Sequence, residues 1–162
     1  MVAIVNGFGD FVFRAKSVKV HMESYDHIIV GTGQATGTLL GKLIPTGDTI
    51  AVIEAAEVGG SCINYGCTPT KTLVASAKAL HKAGRGDIYG FHTKHLTVDF
   101  PRVMERMNEV RHASRTGLVD WMEGSENVSL RRGRARFVED KTMEVGDSTL
   151  KGNQIYINVG TR

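Results

Sequence analysis

No apolar run in this chain approaches the ~20 residues that cross a bilayer, so a membrane-spanning protein is not expected. Charge of one sign is scarce too. Twenty basic against 17 acidic side chains leave a formal net charge of +3, spread along the chain and too small to mark a nucleic-acid or membrane partner without a concentrated patch. The nearest thing to a patch is Arg131-Arg132-Gly133-Arg134-Ala135-Arg136. It alternates within an expected hairpin and lacks interleaved aromatics on which bases would stack, so it reads as solvated strand faces. Cysteine is limited to two residues, and no secretory signal peptide is recognisable. Both facts argue against a disulfide-stapled secreted domain and favour a cytoplasmic protein. Within 162 residues of ordinary apolar content, one domain with one core is expected.

What is present concentrates in Gly59-Gly60-Ser61-Cys62-Ile63-Asn64-Tyr65-Gly66-Cys67-Thr68-Pro69-Thr70-Lys71, where both cysteines stand at the head of an expected helix. Pro69 is expected at the first helical position, where its missing N–H costs nothing, and the helix dipole then turns its positive end toward Cys67. A thiolate is favoured there. Bridging the pair closes a loop of about six residues, for which chain entropy gives only ~2 kcal/mol. Redox cycling therefore explains the spacing better than a static staple does. Half a zinc site is the other alternative; it would need further ligands, such as His81, His92 or His95, and Cys-x4-Cys lacks the two-residue spacing of ribbons and fingers. No metal site is expected.

Upstream, Tyr25-Asp26-His27-Ile28-Ile29-Val30 runs into Gly31-Thr32-Gly33-Gln34-Ala35-Thr36-Gly37 and then into a helical pattern through Leu39, Leu40 and Leu43. Strand, glycine turn and helix in that order let backbone N–H groups approach a pyrophosphate. Gly31 and Gly33 fill the first two glycine positions of G-x-G-x-x-G, and Thr36 replaces the third. Thr49-Ile50-Ala51-Val52-Ile53 reads as a second buried parallel strand, ending at Glu54. A carboxylate there accepts hydrogen bonds from an adenosine ribose and repels a 2′-phosphate, which fits FAD or NAD. No second glycine motif follows a strand anywhere before Arg162, so the sequence offers no nicotinamide site.

The cysteine segment, preceded by this motif, resembles the redox-disulfide signature of the pyridine nucleotide-disulfide oxidoreductases, the family of dihydrolipoamide dehydrogenase, glutathione reductase and mercuric reductase. Thr68 departs from the pattern, since the family usually carries an aliphatic residue there. The resemblance runs from Tyr25 to Arg162 and implies an α/β fold: a Rossmann-like parallel sheet with helices and a small antiparallel meander, incomplete relative to the family. It makes residues 25–162 the first segment of an FAD-binding domain. Residues 1–24 are read as an extension, with an upstream start or a weak targeting sequence as alternatives.

By the same resemblance, Gly31, Gly33, Gln34, Ala35 and Thr36 cradle FAD, Glu54 holds its ribose, and Gly60 and Ser61 add pyrophosphate donors. Arg134 and Ala135 lie at the adenine, and Gly160 closes the segment. Cys67 would be the sulfur beside the flavin ring, Cys62 the exchanging thiol, and Lys71 a cation near the reactive flavin nitrogen. NAD(P)H would bind a domain outside this chain, and the substrate would be a small-molecule or protein disulfide or a metal ion. The full-length form would be a homodimeric enzyme; this chain alone would be inactive. A catalytically silent flavin-binding or thiol-sensing module is the alternative from a different class.

Further along, Leu73, Val74, Ala77 and Leu80 form a stripe that predicts a buried helix running out near Gly84. A second helix is expected from Pro101 to about Glu123, opened by Asp99, with Val103, Met107, Val110, Ser114, Leu118 and Trp121 facing the core. From Val128 the pattern predicts a small meander with turns at Gly133, Asp140-Lys141 and Gly146-Asp147, followed by a separate buried strand at 155–160.

Overall fold

Ile50, Ala51, Val52 and Ile53 are all fully buried, the pattern of a strand covered on both faces. They form β2 (Ile50–Glu54), which lies between β1 (His21–Val30) and β3 (Val128–Arg132) and runs parallel to both. The computed structural model describes residues 21–161. Residues 1–20 of the expected extension, and Arg162, lie outside the described residues. The first strand begins at His21 rather than Tyr25, because its leading residues pair in parallel with β6 (Ser148–Ile157), His21 opposite Ser148.

The sheet has six strands in the order β3-β2-β1-β6-β5-β4, with β4 at Ala135–Glu139 and β5 at Thr142–Val145. Its first four strands are mutually parallel; β4, β5 and β6 form the antiparallel meander. Helices α1 (Gln34–Leu43) and α4 (Phe100–Glu123) cover one face, where Ile29, Leu40, Val52, Val58 and Met122 meet. On the other face Ile28, Ala51 and Ile53 pack against Met143, Val145 and Leu150 of the meander. Full burial of such a side chain contributes roughly 1.5–3 kcal/mol.

Several expectations need correction. The Arg131–Arg136 run is no hairpin, since β3 and β4 occupy opposite edges of the sheet. Arg131 itself is tied across the sheet to Glu23 and to the Tyr25 hydroxyl. The last meander strand and the predicted separate strand are one element, β6, and its far end is open, with Ile157 66% exposed. Helix α3 (Cys67–Ala83) is not a buried helix. Only Pro69 and Thr72 are buried on it, while Val74 and Leu80 are 43% and 38% exposed. It leans on α4, where the Arg106 guanidinium donates to the Thr72 carbonyl at 3.2 Å. Along α4 the Asp99 cap is present, its carboxylate accepting the Arg102 N–H at 3.0 Å. The core position at its end is Met122, fully buried, whereas Trp121 is 40% exposed. A single-residue rotation separates the two, and the larger side chain takes the wetter side.

Met122→Ala should therefore cost ~2–5 kcal/mol in urea unfolding, and Trp121→Ala less than half as much. Equal losses would contradict this orientation of α4.

Candidate functional site

β1, β2, β3 and β6 are parallel, so their carboxyl ends, at Val30, Glu54, Arg132 and Ile157, share one edge of the sheet. The connections leave β1 toward β2 on one side and return to β6 on the other, and ligands of open α/β sheets bind at such a switch point. Gly31 sits there. Its φ is +97° and its N–H donates to the Ile53 carbonyl at 2.7 Å; a Cβ would lie 2.2 Å from the Asn158 carbonyl oxygen, so only glycine fits. Gly33 then caps α1 with no side-chain hydrogen bond and no acid in the first turn. Gln34 and Ala35, the first residues of the helix, are exposed. The first N–H groups of a helix have no intrahelical partner. At α4 Asp99 supplies one; at α1 the Thr36 N–H turns back to the Gly33 carbonyl at 2.9 Å, and the Gln34 and Ala35 N–H groups, with no side-chain cap, are left for a ligand, as an anion site requires.

Thr36 occupies the third glycine position without spreading helix from strand. Its hydroxyl donates to the Gly31 carbonyl at 2.7 Å and accepts from the Asn158 amide at 3.0 Å, and the side chain is buried. What Thr36 gives the site is the shape of the turn. Asn158, missed by sequence reasoning, is the partner that makes this substitution tolerable.

At the tip of β2, Glu54 is held by Thr32 and Ala56. Oε2 accepts the Thr32 N–H at 3.0 Å and also the Thr32 hydroxyl, while Oε1 accepts the Ala56 N–H at 2.9 Å. Burial alone would raise its pKa, yet these hydrogen bonds to the charged form together bring the carboxyl below its ordinary value. The Glu54 carbonyl accepts the Gly133 N–H at 2.9 Å, which brings Arg134 and Ala135 to the same edge. Gly160, φ +73°, lies three residues past the end of β6.

The dithiol reaches this edge through a second close approach. Gly60, φ +58°, opens α2 (Gly60–Asn64), and a Cβ on it would stand 2.8 Å from Gly33 Cα. Ser61, next in the helix, is exposed. Buried Asn64 locks the segment: its amide donates to the Val58 and Gly60 carbonyls at 3.0 and 2.9 Å, and more weakly to Glu57 at 3.3 Å. The chain turns at Tyr65-Gly66 and α3 starts at Cys67, which puts Pro69 third in the helix rather than first. The third N–H is still an orphan, so proline is harmless there; the first intrahelical bond runs from the Thr70 N–H to the Gly66 carbonyl at 3.0 Å.

Both cysteines are free thiols, Cys67 exposed and Cys62 half-buried. The Cys67 thiol hydrogen-bonds Cys62 and, with desolvation and the repulsion of a second negative charge, pushes the Cys62 thiol up. The Cys67 N–H and the charge of Lys71, one turn into α3, oppose that rise. Among the described residues no group of three His, Cys, Asp or Glu side chains is placed to hold a metal.

Cys67→Ser should therefore lower the midpoint of the pH profile for iodoacetamide alkylation at Cys62, read by mass spectrometry, and Lys71→Met should raise it. An unchanged or higher midpoint in Cys67→Ser would show that the neighbouring thiol does not govern Cys62.

The chain is similar to known proteins over most of its length. The chain is 30% identical over 140 residues to the mercuric reductase of Bacillus cereus, covering 84% of this chain and 22% of that protein. It is 28% identical over 142 residues to a dihydrolipoyl dehydrogenase of Chlamydia muridarum, covering 86% of this chain and 30% of the relative. Among solved structures, the HOCl-induced flavoprotein disulfide reductase RclA from Escherichia coli superposes with a TM-score of 0.67 at 32% identity, over 85% of this chain and 28% of that one. The chain thus spans under a third of the length of these relatives. The sequence model of the family described as pyridine nucleotide-disulphide oxidoreductase matches residues 25–162, and the chain belongs to that family.

Proposed function

We propose that this chain is the FAD-binding and dithiol-bearing part of an enzyme that passes electrons from NAD(P)H to a disulfide or metal-ion acceptor. The single observation that carries the reading is the contact of Gly60 with Gly33, which sets an uncapped helix N-terminus and a Cys-x4-Cys dithiol side by side. The residues present fit a flavin dinucleotide. A Cβ on Gly60 would stand 2.8 Å from Gly33 Cα, the Gln34 and Ala35 N–H groups of α1 suit a pyrophosphate, and Glu54 is a carboxylate acceptor at the tip of the second strand, where this kind of fold holds a ribose. Gly31 shapes the turn, Gln34 and Ala35 offer backbone N–H groups, Ser61 adds a hydroxyl donor, and Arg134, Ala135 and Gly160 line the adenine end and close the segment.

Bound there, FAD would supply two-electron chemistry between a nicotinamide and the Cys62–Cys67 disulfide. The dithiol does the rest. Cys62 loses its proton and attacks one sulfur of the acceptor disulfide, breaking that bond and forming a mixed disulfide. Cys67 then attacks Cys62 Sγ, which closes the Cys62–Cys67 bond and releases the second acceptor thiolate. Two electrons have left the chain, and the two thiol protons end on the acceptor thiols. Lys71 keeps a positive charge beside the sulfurs, which favours each thiolate in turn. For a metal-ion acceptor, the same two sulfurs would deliver the same two electrons.

The acceptor class follows the relatives' names: a mercuric ion, the oxidised disulfide form of a dihydrolipoyl group, or another disulfide. The nicotinamide site and a homodimeric assembly belong to the whole enzyme, and a cytoplasmic location is part of the reading. No helix among the described residues is long and apolar enough to cross a membrane. By itself the chain should bind flavin and cycle its dithiol without steady NAD(P)H turnover.

The test is to load the purified chain with FAD, oxidise the dithiol, reduce the flavin anaerobically with light, and label new thiols. The expected result is label at both Cys62 and Cys67 for each flavin reduced, and weaker flavin retention in Ser61→Ala by about tenfold, the worth of one hydrogen bond to a charged group. Reduced flavin with the disulfide intact would contradict electron passage. Failure to bind flavin at all would remove the cofactor assignment.

A further inference from the structure

Helix α3 has a solvent face that the dithiol chemistry uses only at its head. With about 3.6 residues per turn, positions 67, 71, 74, 78 and 82 fall within about 80° of one another around the helix axis. Cys67, Lys71, Val74, Lys78 and Lys82 are all exposed, and Pro69 and Thr72, the buried residues of the helix, lie on the other side. From end to end α3 holds three lysines and His81 and no acidic residue. None of those lysines forms an ion pair among the described residues. Helix α4 is built differently: its Arg102 pairs with Glu105 and Glu109 at 2.7 and 2.8 Å. Such pairs support a helix, whereas like charges four residues apart, as at Lys78 and Lys82, weaken it. The fold therefore gains no pairing energy from the lysines of α3.

The cations extend away from the sulfurs. At about 1.5 Å per residue, Lys78 and Lys82 stand about 17 and 22 Å beyond Cys67 along the axis, about two Debye lengths or more at physiological salt. A small disulfide at the dithiol is screened from them. An extended peptide, at ~3.3 Å per residue, covers the same span in about five to seven residues. We propose that the exposed face of α3 is the docking surface for a protein acceptor whose disulfide is flanked by acidic side chains, which lie against Lys78 and Lys82 while the disulfide meets Cys62 and Cys67. Val74, 43% exposed, adds an apolar contact between the cations. The proposal rests on the dithiol chemistry set out above and adds to it the class of acceptor.

Charge complementarity is what the face offers. Complementary charge raises the rate of encounter and sets the register of the partner more than it raises affinity. The exchange itself balances as before: the two thiols of the chain become the Cys62–Cys67 disulfide, the acceptor disulfide becomes two thiols, and two electrons and two protons pass to the acceptor.

The experiment is stopped-flow oxidation of the reduced, purified chain by disulfide-linked dimers of a cysteine peptide that carries a run of Glu, Gln or Lys on each side, a short Gly-Ser spacer away from the cysteine. At low salt the Glu peptide should react about tenfold faster than the Gln peptide and the Lys peptide about tenfold more slowly. Both differences should shrink as sodium chloride is added. In the double variant Lys78→Glu/Lys82→Glu the Gln peptide should keep its rate within about twofold, whereas the Glu peptide should lose its advantage. The small anionic disulfide dithiobis(nitrobenzoate), which does not reach Lys78 from the sulfurs, should oxidise parent and variant at rates within about twofold of each other. Circular dichroism checks that the variant folds; if it does not, Lys78→Gln/Lys82→Gln takes its place, with a smaller loss expected. Equal rates for the three peptides on the parent, or a Glu-peptide advantage that survives in the folded variant, would overturn the docking surface while leaving the dithiol chemistry in place. So would a loss with the small disulfide as large as with the Glu peptide. A parent dithiol that none of the three peptides oxidises would overturn the disulfide-acceptor reading and the proposal with it.

Discussion

Two backbones meet at Gly33 and Gly60 so closely that a single Cβ would intrude, at 2.8 Å. The rest of the arrangement depends on that approach. The glycine turn faces outward because β1 and β2 are buried parallel strands ending together. The turn stays tight because Gly31 lies against the Asn158 carbonyl. With α2 pressed against it, the dithiol follows within one short helix and a tight turn, at the edge where the strands end. A dinucleotide lying along that edge would place its phosphates at the turn and its reactive ring toward the sulfurs. Separating the two backbones would leave both halves chemically competent and mutually useless.

Polar side chains with their hydrogen bonds satisfied keep this geometry. Asn64 ties the loop before α2 to the helix itself, Thr32 joins Glu54 to Gly59, and Thr36 with Asn158 closes α1 onto the end of β6. All three of Asn64, Thr32 and Thr36 are buried. Buried polar groups are costly unless paired, and paired they specify one arrangement. These bonds therefore act as positional constraints on the edge, while the apolar clusters on the two sheet faces supply the stability. The contrast between helices is informative: α4 carries a side-chain cap, whereas α1, α2 and α3, which converge on the edge, carry none. At α1 that leaves the Gln34 and Ala35 N–H groups for a ligand, while at α3 the Cys67 N–H serves the Cys62 thiol.

Much of this was legible in the sequence because it rests on local chemistry. The glycine turn, the carboxylate after the second strand and the dithiol at a helix head are fixed by residue type and spacing, and the structure places them on one edge. The Asp99 cap and the end of α3 near Gly84 were readable for the same reason. What eluded sequence reasoning depends on partners distant in the chain. Thr36 reads as a problem until Asn158, 122 residues away, is seen to absorb its hydroxyl. Periodicity locates the apolar stripe of α3 but cannot say whether anything covers it. Meander and final strand looked separate because β6 changes neighbours along its length, pairing with β5 over its first residues and with β1 throughout. The Arg131–Arg136 run looked like a hairpin because Gly133 signals a turn, and nothing local reveals that β3 and β4 belong at opposite edges.

The central claim is that the glycine turn and the head of the dithiol segment form one ligand-binding surface. Amide shifts in a two-dimensional NMR spectrum of the labelled chain, recorded as FAD is added, test it most directly. The account predicts that Gly33, Gln34 and Ala35 move together with Gly60, Ser61 and Cys67, at one common saturation, while the β4–β5 turn stays still. Shifts at the glycine turn that leave Gly60 to Cys67 unmoved, or two sets of shifts that saturate at different concentrations, would contradict it.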